Sequence, residues 1–278
     1  MGRLKTFVLM FVLVLIFMTV GELIGGAEGG RVAFWMAVVM NFFGYFFSDK
    51  MVLRQYRARQ VQKNNAPELY EIVESLSQKA ELPMPKVYII DEKVPNAFAT
   101  GRNPSHAAVA VTTGLLELMN RNEIEGVLAH EMSHIKNYDI LTSSIATVFA
   151  SAIGMLSNMG RYNTVPERNR KGGGLAALVG VVLMPVAATI IRFSISRTRE
   201  YAADEGSARL TKHPQWLISA LSKLEGYAKQ ALMKNTTNET AHMFIINPLS
   251  GGNFAALFST HPSTKDRIER LEKIAREL

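Results

Sequence analysis

Two histidines and a glutamate lie close together in the sequence, as His130, Glu131 and His134. On an α-helix the two histidines, four residues apart, project from the same face and could bind one metal ion. This spacing favours zinc, which lowers the pKa of water towards about 7. Glu131 lies beside the histidines and could accept a proton from such a water. The pattern therefore predicts a zinc site that can carry out hydrolysis.

The composition restricts which other residues could serve such a site. The chain of 278 residues contains six histidines and no cysteine, so thiolate zinc sites, disulfides and cysteine nucleophiles are excluded. Any metal ligands must be histidines and carboxylates. We interpret His106, His213 and His242 as ordinary residues. The alternative interpretation of the motif is a solvated helix face with two unrelated histidines.

A catalytic zinc site also needs a third protein ligand and one open position. Glu200 and Asp204 are again four residues apart, so they are predicted to share a helical face. One carboxylate could complete the metal shell while the other accepts an N–H from a ligating histidine. The alternative is an acidic patch that pairs with neighbouring arginines, and the spacing does not decide between them. Asp139 is predicted to lie too far from the histidine pair to reach the metal.

The polar segments predict a mixed α/β domain. Valine- and isoleucine-rich strands are predicted at 86–90 and 107–112. Helical periodicity predicts helices at 66–81, 114–119, 215–232 and 263–277. The metal-site helix is predicted to start at Asn122 as N-cap, with Glu125 as its capping-box partner. Its apolar face is formed by Ile124, Val127, Leu128 and Ile135. Residues 234–260 are interpreted as a loop-rich excursion.

Four uncharged apolar runs separate the polar segments, at 6–21, 32–48, 140–160 and 172–191. About 20 apolar residues cross a bilayer, with about 17 as the lower limit, so the runs predict two transmembrane hairpins. A cleaved signal peptide is the alternative for the first run. For the last two, the alternative is a hairpin that lies on the membrane, lies only partly in it, or is buried against the catalytic domain.

Basic residues set the predicted orientation of the hairpins. Arg3 and Lys5 precede the first run, and five lysines or arginines lie within 50–63. By the positive-inside rule, the N-terminus and the polar segments face the cytoplasm. The net charge of +7 suits an anionic membrane surface. No basic block interleaved with aromatic residues occurs, so no nucleic-acid partner is predicted.

Four segments together resemble a known family. They are VPNAFATGRNPSHAAVAVTTGLL at 94–116, HEMSHIKNYD at 130–139, REYAADEGSA at 199–208 and THPS at 260–263. In this order they resemble the HtpX family of bacterial membrane-bound zinc proteases, related to CAAX prenyl protease type 1. The resemblance covers essentially the whole chain. It implies one Zn²⁺ per chain and a zincin-like domain, mainly α with a small antiparallel β-sheet and four transmembrane helices.

The resemblance also implies roles for individual residues. His130, His134 and Glu200 would bind zinc, Glu131 would be the general base, and Asp204 would orient a histidine. The family's function implies degradation of misfolded or damaged membrane proteins.

Two further positions are hypotheses about substrate handling. His261 could stabilise the oxyanion of a tetrahedral intermediate, or it could be a helix-capping or solvent-exposed histidine. The stretch 96–100, with Asn96 and Phe98 as substrate-binding residues, could pair with an extended peptide by β-addition. A purely structural turn is the alternative for this stretch.

These observations predict four regions along the chain. They are an N-terminal transmembrane hairpin (1–50), a first protease segment (51–139), a second apolar hairpin (140–192) and a second protease segment (193–278). We expect an integral protein of the bacterial cytoplasmic (inner) membrane that faces the cytoplasm and cleaves unfolded or membrane proteins. The alternatives are a zinc-stabilised membrane scaffold or holdase without turnover, and a hydrolase of a non-peptide amide or lipid-linked substrate. The oligomeric state is not predicted.

Overall fold

A computed structural model of the chain describes residues 2–148, 197–231 and 262–278. Most of the second apolar hairpin, the predicted excursion at 234–260 and His261 lie outside the described residues.

The described part contains four strands, eight α-helices and a short 3₁₀ helix (Pro104–His106). The strands are β1 (Arg59–Val61), β2 (Lys86–Ile90), β3 (Ala97–Gly101) and β4 (Ala107–Thr112). The helices are α1 (Gly2–Gln55), α2 (Pro67–Ala80), α3 (Thr113–Leu118), α4 (Arg121–Lys136), α5 (residues 140–148), α6 (Arg197–Thr211), α7 (Pro214–Ala231) and α8 (Thr264–Glu277). The helices predicted at 66–81, 114–119, 215–232 and 263–277 and the two predicted strands are confirmed to within about one residue at each end.

The N-terminal hairpin is formed by α1, whose helical geometry is interrupted at Gly25 and Gly26. Gly26 has a φ of +60°, which glycine adopts without the steric cost of a Cβ atom. The two halves run antiparallel, since the side-chain amide of Asn41 donates to the carbonyl of Met10 at 3.1 Å. The turn therefore falls in the glycine-rich stretch between the first two apolar runs.

The surface of α1 is suited to lipid rather than water. Two of its segments, Thr6–Leu23 and Gly25–Gln55, are long and apolar enough to span a membrane. Among the described residues, every large exposed hydrophobic side chain except Leu278 belongs to residues 4–51. A continuous apolar surface of this size marks a membrane or partner contact. The structure thus supports the first two predicted spans, while the third and fourth stay predictions.

The sheet has the strand order β1-β2-β4-β3 and is mixed. Strand β2 pairs with β4 in parallel, whereas the outer pairs β1–β2 and β3–β4 are antiparallel. The predicted small sheet is confirmed, but its description as antiparallel is wrong because β2 and β4 are parallel. After β2 the chain forms β3 at the edge of the sheet, then turns back and forms β4 between β2 and β3. Strand β4 therefore runs in the same direction as β2. This connection leaves β3 as an edge strand.

Helix α4 lies at the centre of the core. It packs against α2, α6 and α7 and contacts β3. Its fully buried apolar side chains are Val127, Leu128, Met132 and Ile135. Burial of each such side chain stabilises the fold by about 1.5–3 kcal/mol. Because the same helix carries His130 and His134, core packing holds the histidines in place.

Asn120 caps α4, so the predicted N-cap at Asn122 is wrong by two residues. The Asn120 side chain accepts from the Glu123 N–H at 3.0 Å, and the Glu123 carboxylate accepts from the Asn120 N–H at 2.9 Å. The sequence offers the same Asn-x-x-Glu pattern from both starting points. Tertiary contacts decide, because Lys223 and Ser219 of α7 each donate to Glu123 at 2.6 Å.

Candidate metal centre

Three side chains from two helices converge on one point. His130 and His134 of α4 place their Nε2 atoms 3.2 Å apart. Glu200 of α6 places one carboxylate oxygen 3.6 Å from His130 Nε2 and the other 3.5 Å from His134 Nε2. One ligand atom from each residue lies within 4.8 Å of the other two, so these three residues could hold a metal ion. We call His130, His134 and Glu200 the metal-ligand group.

The close approach of α6 to α4 places Glu200 in this group. Gly206 of α6 faces Ser133 of α4, and a Cβ atom on Gly206 would come within 2.3 Å of the Ser133 hydroxyl oxygen. Nearby, the Ser207 hydroxyl donates to the carbonyl of Gly126 at 2.7 Å. A larger residue at 206 would push the two helices apart and move the carboxylate away from the histidines.

A buried arginine supports His130 through an aspartate that is hydrogen-bonded to both. His130 donates its Nδ1–H to Asp204 at 3.0 Å, and Arg267 of α8 donates two hydrogen bonds to the same carboxylate, at 2.6 and 2.8 Å. All three side chains are at most 3% exposed. We call this series the His130 arm. It fixes the ring with Nε2 directed at the metal-ligand group.

A second arginine and aspartate back His134 in the same way. His134 donates its Nδ1–H to Asp139 at 3.2 Å, and Arg199 donates to Asp139 at 3.1 Å. Tyr138, with a φ of +60°, turns the chain back at the end of α4 and so places Asp139 beside the ring. We call this series the His134 arm. Asp139 is not in the metal-ligand group, as predicted, and contacts the histidine instead.

The tautomers that the two arms impose fit a cation. A carboxylate only accepts hydrogen bonds, so each neutral ring carries its proton on Nδ1 and presents a lone pair on Nε2. Two lone pairs facing each other at 3.2 Å repel unless a proton or a metal ion lies between them. Tetrahedral coordination with zinc–nitrogen bonds of about 2.0–2.1 Å would separate the two nitrogens by about 3.3 Å. The donor spacing therefore fits zinc.

The charge of the centre also fits a dication. Four carboxylates, those of Glu131, Asp139, Glu200 and Asp204, are buried. The guanidinium groups of Arg199 and Arg267 oppose them, which leaves a formal charge of −2. Uncompensated buried charge is costly, so the cluster favours a bound ion of charge +2.

The pKa values follow the same electrostatics. Burial alone would lower the pKa of His130, but Asp204 and Glu200 outweigh it and raise the pKa to about 9. Burial would raise the pKa of Asp204, but Arg267 and His130 lower it to about 2. The negative field that favours a proton on His130 favours a metal ion equally, so protons and metal compete for the site.

Glu131 connects the metal-ligand group to the sheet. It follows His130 on α4, and its carboxylate accepts the backbone N–H of Ala99 at 2.9 Å. Ala99 belongs to the edge strand β3, so this N–H points away from β4 towards α4. The glutamate is 6% exposed. It therefore lies between the candidate ligands and the free edge of the sheet.

The profile of peptidase family M48 matches residues 63–275, more than half of the chain. The chain belongs to peptidase family M48. It is 57% identical to a protein described as Protease HtpX homolog from Campylobacter hominis, over 100% of both chains. It is 50% identical to the Protease HtpX homolog of Pyrococcus furiosus, over 99% of this chain and 96% of the relative.

A solved structure shares the fold. The crystal structure of S. mikatae Ste24p matches with a TM-score of 0.50 and 17% sequence identity. The match covers 97% of this chain and 65% of that one, so this chain is the shorter. Family membership makes the protein a metalloprotease. The relationship predicted from the four sequence segments is thereby confirmed, and the apolar hairpin α1 agrees with a membrane protein.

In this M48 peptidase the remaining predicted site residues are placed as follows. Asn96 precedes β3 and is buried, and its carbonyl accepts from the Thr112 N–H at 2.9 Å while its N–H donates to the Thr112 hydroxyl at 2.8 Å. Its side-chain oxygen has no partner among the described residues. The Phe98 side chain packs 5.4 Å from the Tyr56 ring in a buried cluster with Val52. It faces the core, so a substrate contact at this position would involve the strand rather than the ring.

Sequence reasoning missed three residues of this M48 centre as functional positions, namely Asp139, Arg199 and Arg267. Arg267 carried no spacing signal, because 63 residues separate it from Asp204. Arg199 was noted only as a possible partner of an acidic patch. Asp139 was weighed only as a metal ligand, although its place five residues after His134 allows a contact to the ring nitrogen that faces away from the metal.

Proposed function

We propose that the protein is a zinc-dependent endopeptidase of the cytoplasmic membrane that cleaves unfolded or membrane proteins. The observation that carries this proposal is the position of Glu131, which lies between the His130, His134 and Glu200 group and the edge strand β3. A hydrolytic site needs a base next to its metal and a place for an extended chain beside both.

His130, His134 and Glu200 would hold the metal and leave one position open, as in catalytic zinc sites with two histidines and a glutamate. A bound zinc ion supplies Lewis acidity, which polarises a peptide carbonyl and lowers the pKa of water. The Nδ1–H groups of the histidines are held by Asp204 and Asp139. Both rings therefore keep the tautomer that a metal ligand requires.

Glu131 is the proposed general base. The N–H of Ala99 donates to its Oε2 at 2.9 Å, which fixes the carboxylate and leaves Oε1 to accept a proton from the attacking water. The same carboxylate then passes the proton to the nitrogen of the departing amine. In a buried setting this transfer proceeds without competition from bulk solvent.

The substrate is proposed to bind as an added strand along β3. In this edge strand the N–H of Ala99 faces away from β4 and donates to Glu131, so Glu131 lies on the outer side of β3. An extended peptide can pair with such an edge. It would then pass beside Glu131. Recognition through the backbone accepts many sequences, which suits a protease of unfolded chains.

A position at the bilayer surface is proposed from the contacts of α5. This helix starts at residue 140, directly after Asp139 of the His134 arm. Its side chains form a buried cluster with α1, made of Leu9, Leu13, Leu141, Ile145 and Ala146. The hydroxyls of Thr6 and Thr142 lie 2.8 Å apart. These contacts disfavour a cleaved signal peptide and support a catalytic centre beside the membrane. The four predicted regions of the chain stay part of this proposal.

The decisive experiment compares the wild type with Glu131→Gln. The wild type should release peptides from unfolded casein, and a chelator should abolish release. Glu131→Gln should retain zinc at one equivalent per chain and lose activity by about 10²–10⁴-fold. Equal cleavage by both proteins would contradict the role of Glu131. Zinc binding with no fragments from either protein would favour a scaffold, or a hydrolase of other amides.

Orientation can be tested with single cysteines, because the chain has none. Gly25 lies at the turn of α1, and a Cβ atom there would meet nothing within 4 Å among the described residues. With the catalytic domain in the cytoplasm, Gly25→Cys should react with an impermeant thiol reagent in intact cells. Labelling only after lysis would contradict this orientation. Asn163→Cys, labelled in the same way, reports on the second apolar hairpin.

A further inference from the structure

A cavity lies between the membrane hairpin and the segment that follows β3. Its volume is about 260 Å³. Its lining combines apolar side chains, those of Phe7, Met10 and Leu141, with polar ones, those of Tyr45, Arg102 and Asn103. The cavity is separate from the metal centre, and peptide hydrolysis as proposed above does not use it.

Among the residues that the structure describes, Arg102 is the only charged one in the lining. Gly101, with a φ of +140°, turns the chain at the end of β3 and directs it towards α1. The guanidinium carbon of Arg102 then lies 5.6 Å from the centre of the Phe46 ring. Arg102 is half-buried, and no carboxylate pairs with it in the part of the chain that the structure describes. A partly desolvated cation of this kind attracts an anion.

The cavity lies at one end of the first candidate membrane span, where hydrocarbon would give way to headgroups. Thr6 is the first residue of the first candidate span, and it also lines the cavity. Phe7, next to it, is 65% exposed on the lipid-facing surface of α1. Phosphate groups of phospholipids are concentrated at this depth. An arginine beside aromatic rings at a span end is placed to meet them.

We infer that this cavity binds an anionic phospholipid, with its phosphate on Arg102 and an acyl chain along Phe7 and Met10. Anionic phospholipids are abundant in membranes and would lie directly beside the exposed apolar surface of α1. A net negative lipid is favoured over a zwitterionic one because none of the described lining residues is acidic and the chain carries a net charge of +7. Basic residues near an anionic leaflet are attracted to its headgroups.

The bound lipid would also touch the elements that carry the active centre. Thr100 and Gly101 of β3 contact the Ser144 hydroxyl of α5, at 2.7 and 3.4 Å. Leu141, on the same helix, lines the cavity. An occupant that holds Arg102 and Leu141 together therefore stiffens the end of β3 relative to α5. Binding itself does not depend on the proposed peptidase function, so the two can fail separately.

The test measures lipid retained by the full chain. Protein in detergent micelles is incubated with phosphatidylglycerol or phosphatidylcholine, and the bound lipids are counted by native mass spectrometry. The wild type should retain one phosphatidylglycerol in preference to phosphatidylcholine. Arg102→Gln should weaken that retention about tenfold, the effect of losing one charge-assisted hydrogen bond. Arg102→Lys should restore part of it.

Lys50→Gln is the matched control. Lys50 also lies 5.6 Å from a phenylalanine ring, that of Phe47, but it is exposed and does not line the cavity. Its substitution should change retention less than twofold. An equal loss in both variants would overturn the inference. So would a wild type without preference for phosphatidylglycerol, a result that does not depend on how any variant folds. Displacement of the lipid by millimolar inorganic phosphate would identify a phosphate site instead.

Discussion

The His130 arm and the His134 arm consist of the same residue types in the same order but differ in burial and in origin along the chain. In the His130 arm the arginine binds its aspartate through two hydrogen bonds of 2.6 and 2.8 Å, and both side chains are 1% exposed. In the His134 arm a single hydrogen bond of 3.1 Å joins them, and the arginine side chain is 14% exposed.

The two arms also connect the metal centre to different parts of the fold. Arg267 comes from α8, so the His130 arm joins α4, α6 and the C-terminal helix in the core. Asp139 follows His134 by five residues and directly precedes α5, which packs on the membrane hairpin. One arm therefore depends on tertiary assembly and the other on a local turn beside the membrane. This difference predicts that damage to the His130 arm has the larger consequences.

Removing Arg267 should have the largest effect. Arg267→Ala leaves the carboxylate of Asp204 buried without its counter-charge, and breaking a buried ion pair costs about 3–5 kcal/mol of stability. Denaturant unfolding of the purified protein would measure it. Arg270→Ala is the matched control on the same helix, because Arg270 is exposed and lies 3.8 Å from the Tyr201 ring. Equal destabilisation by both variants would remove the special role of the buried pair.

Removing Arg199 should cost less. Arg199→Ala deletes a single charge-assisted hydrogen bond to Asp139, worth about 1.5–3 kcal/mol. Water can reach this arm, since the His134 side chain is 15% exposed, and can replace part of the lost contact. The same unfolding measurement applies. A loss of unfolding free energy as large as that of Arg267→Ala would show that the greater exposure of the His134 arm does not lower its contribution to stability.

Substituting the aspartate of each arm compares the two arms through the loss of metal affinity. Residues that orient a metal-bound histidine contribute about 10–100-fold to affinity, and we place Asp204→Asn at the upper end and Asp139→Asn at the lower. Asp204 lies in the dry arm, where no water can take over the Nδ1–H of His130. Competition with a chromophoric chelator would give both affinities at neutral pH. The reverse order would contradict the ranking of the arms.

The arms also show how much of the centre the sequence could predict. Glu200 and Asp204 were found together because they lie four apart on one helix, and helical periodicity is a local property. Arg267 was not found, since its contact with Asp204 arises only when α8 packs on α6. The contact of Asp139 with His134 depends on a positive φ at Tyr138, for which a non-glycine residue gives no signal.

The same distinction between local and tertiary information applies to the fold. Apolar periodicity located α2, α4 and the strands β2 and β4, because burial of one face is encoded in consecutive residues. The parallel pairing of β2 with β4 was missed, since strand direction depends on the path of the chain through β3. The N-cap at Asn120 depended on contacts of Glu123 with α7, more than 90 residues away in sequence.

The smallest expected effect concerns Glu123, which anchors the helix shared by both arms. Burial opposes its ionisation, but hydrogen bonds from Lys223, Ser219 and the Asn120 N–H outweigh it and lower its pKa. The carboxylate therefore contributes stability above the ordinary glutamate pKa of about 4.3, and this contribution is lost as the pH falls through the lowered value.

Glu123→Gln should cost about 1 kcal/mol at neutral pH, the typical worth of a helix cap. Unfolding experiments at several pH values should show wild type and variant converging in acid. The histidines of both arms lie on α4. Glu123→Gln should therefore leave unchanged the ratio of the metal-affinity losses that Asp204→Asn and Asp139→Asn cause. A changed ratio would mean that the arms are not independent supports of the metal centre.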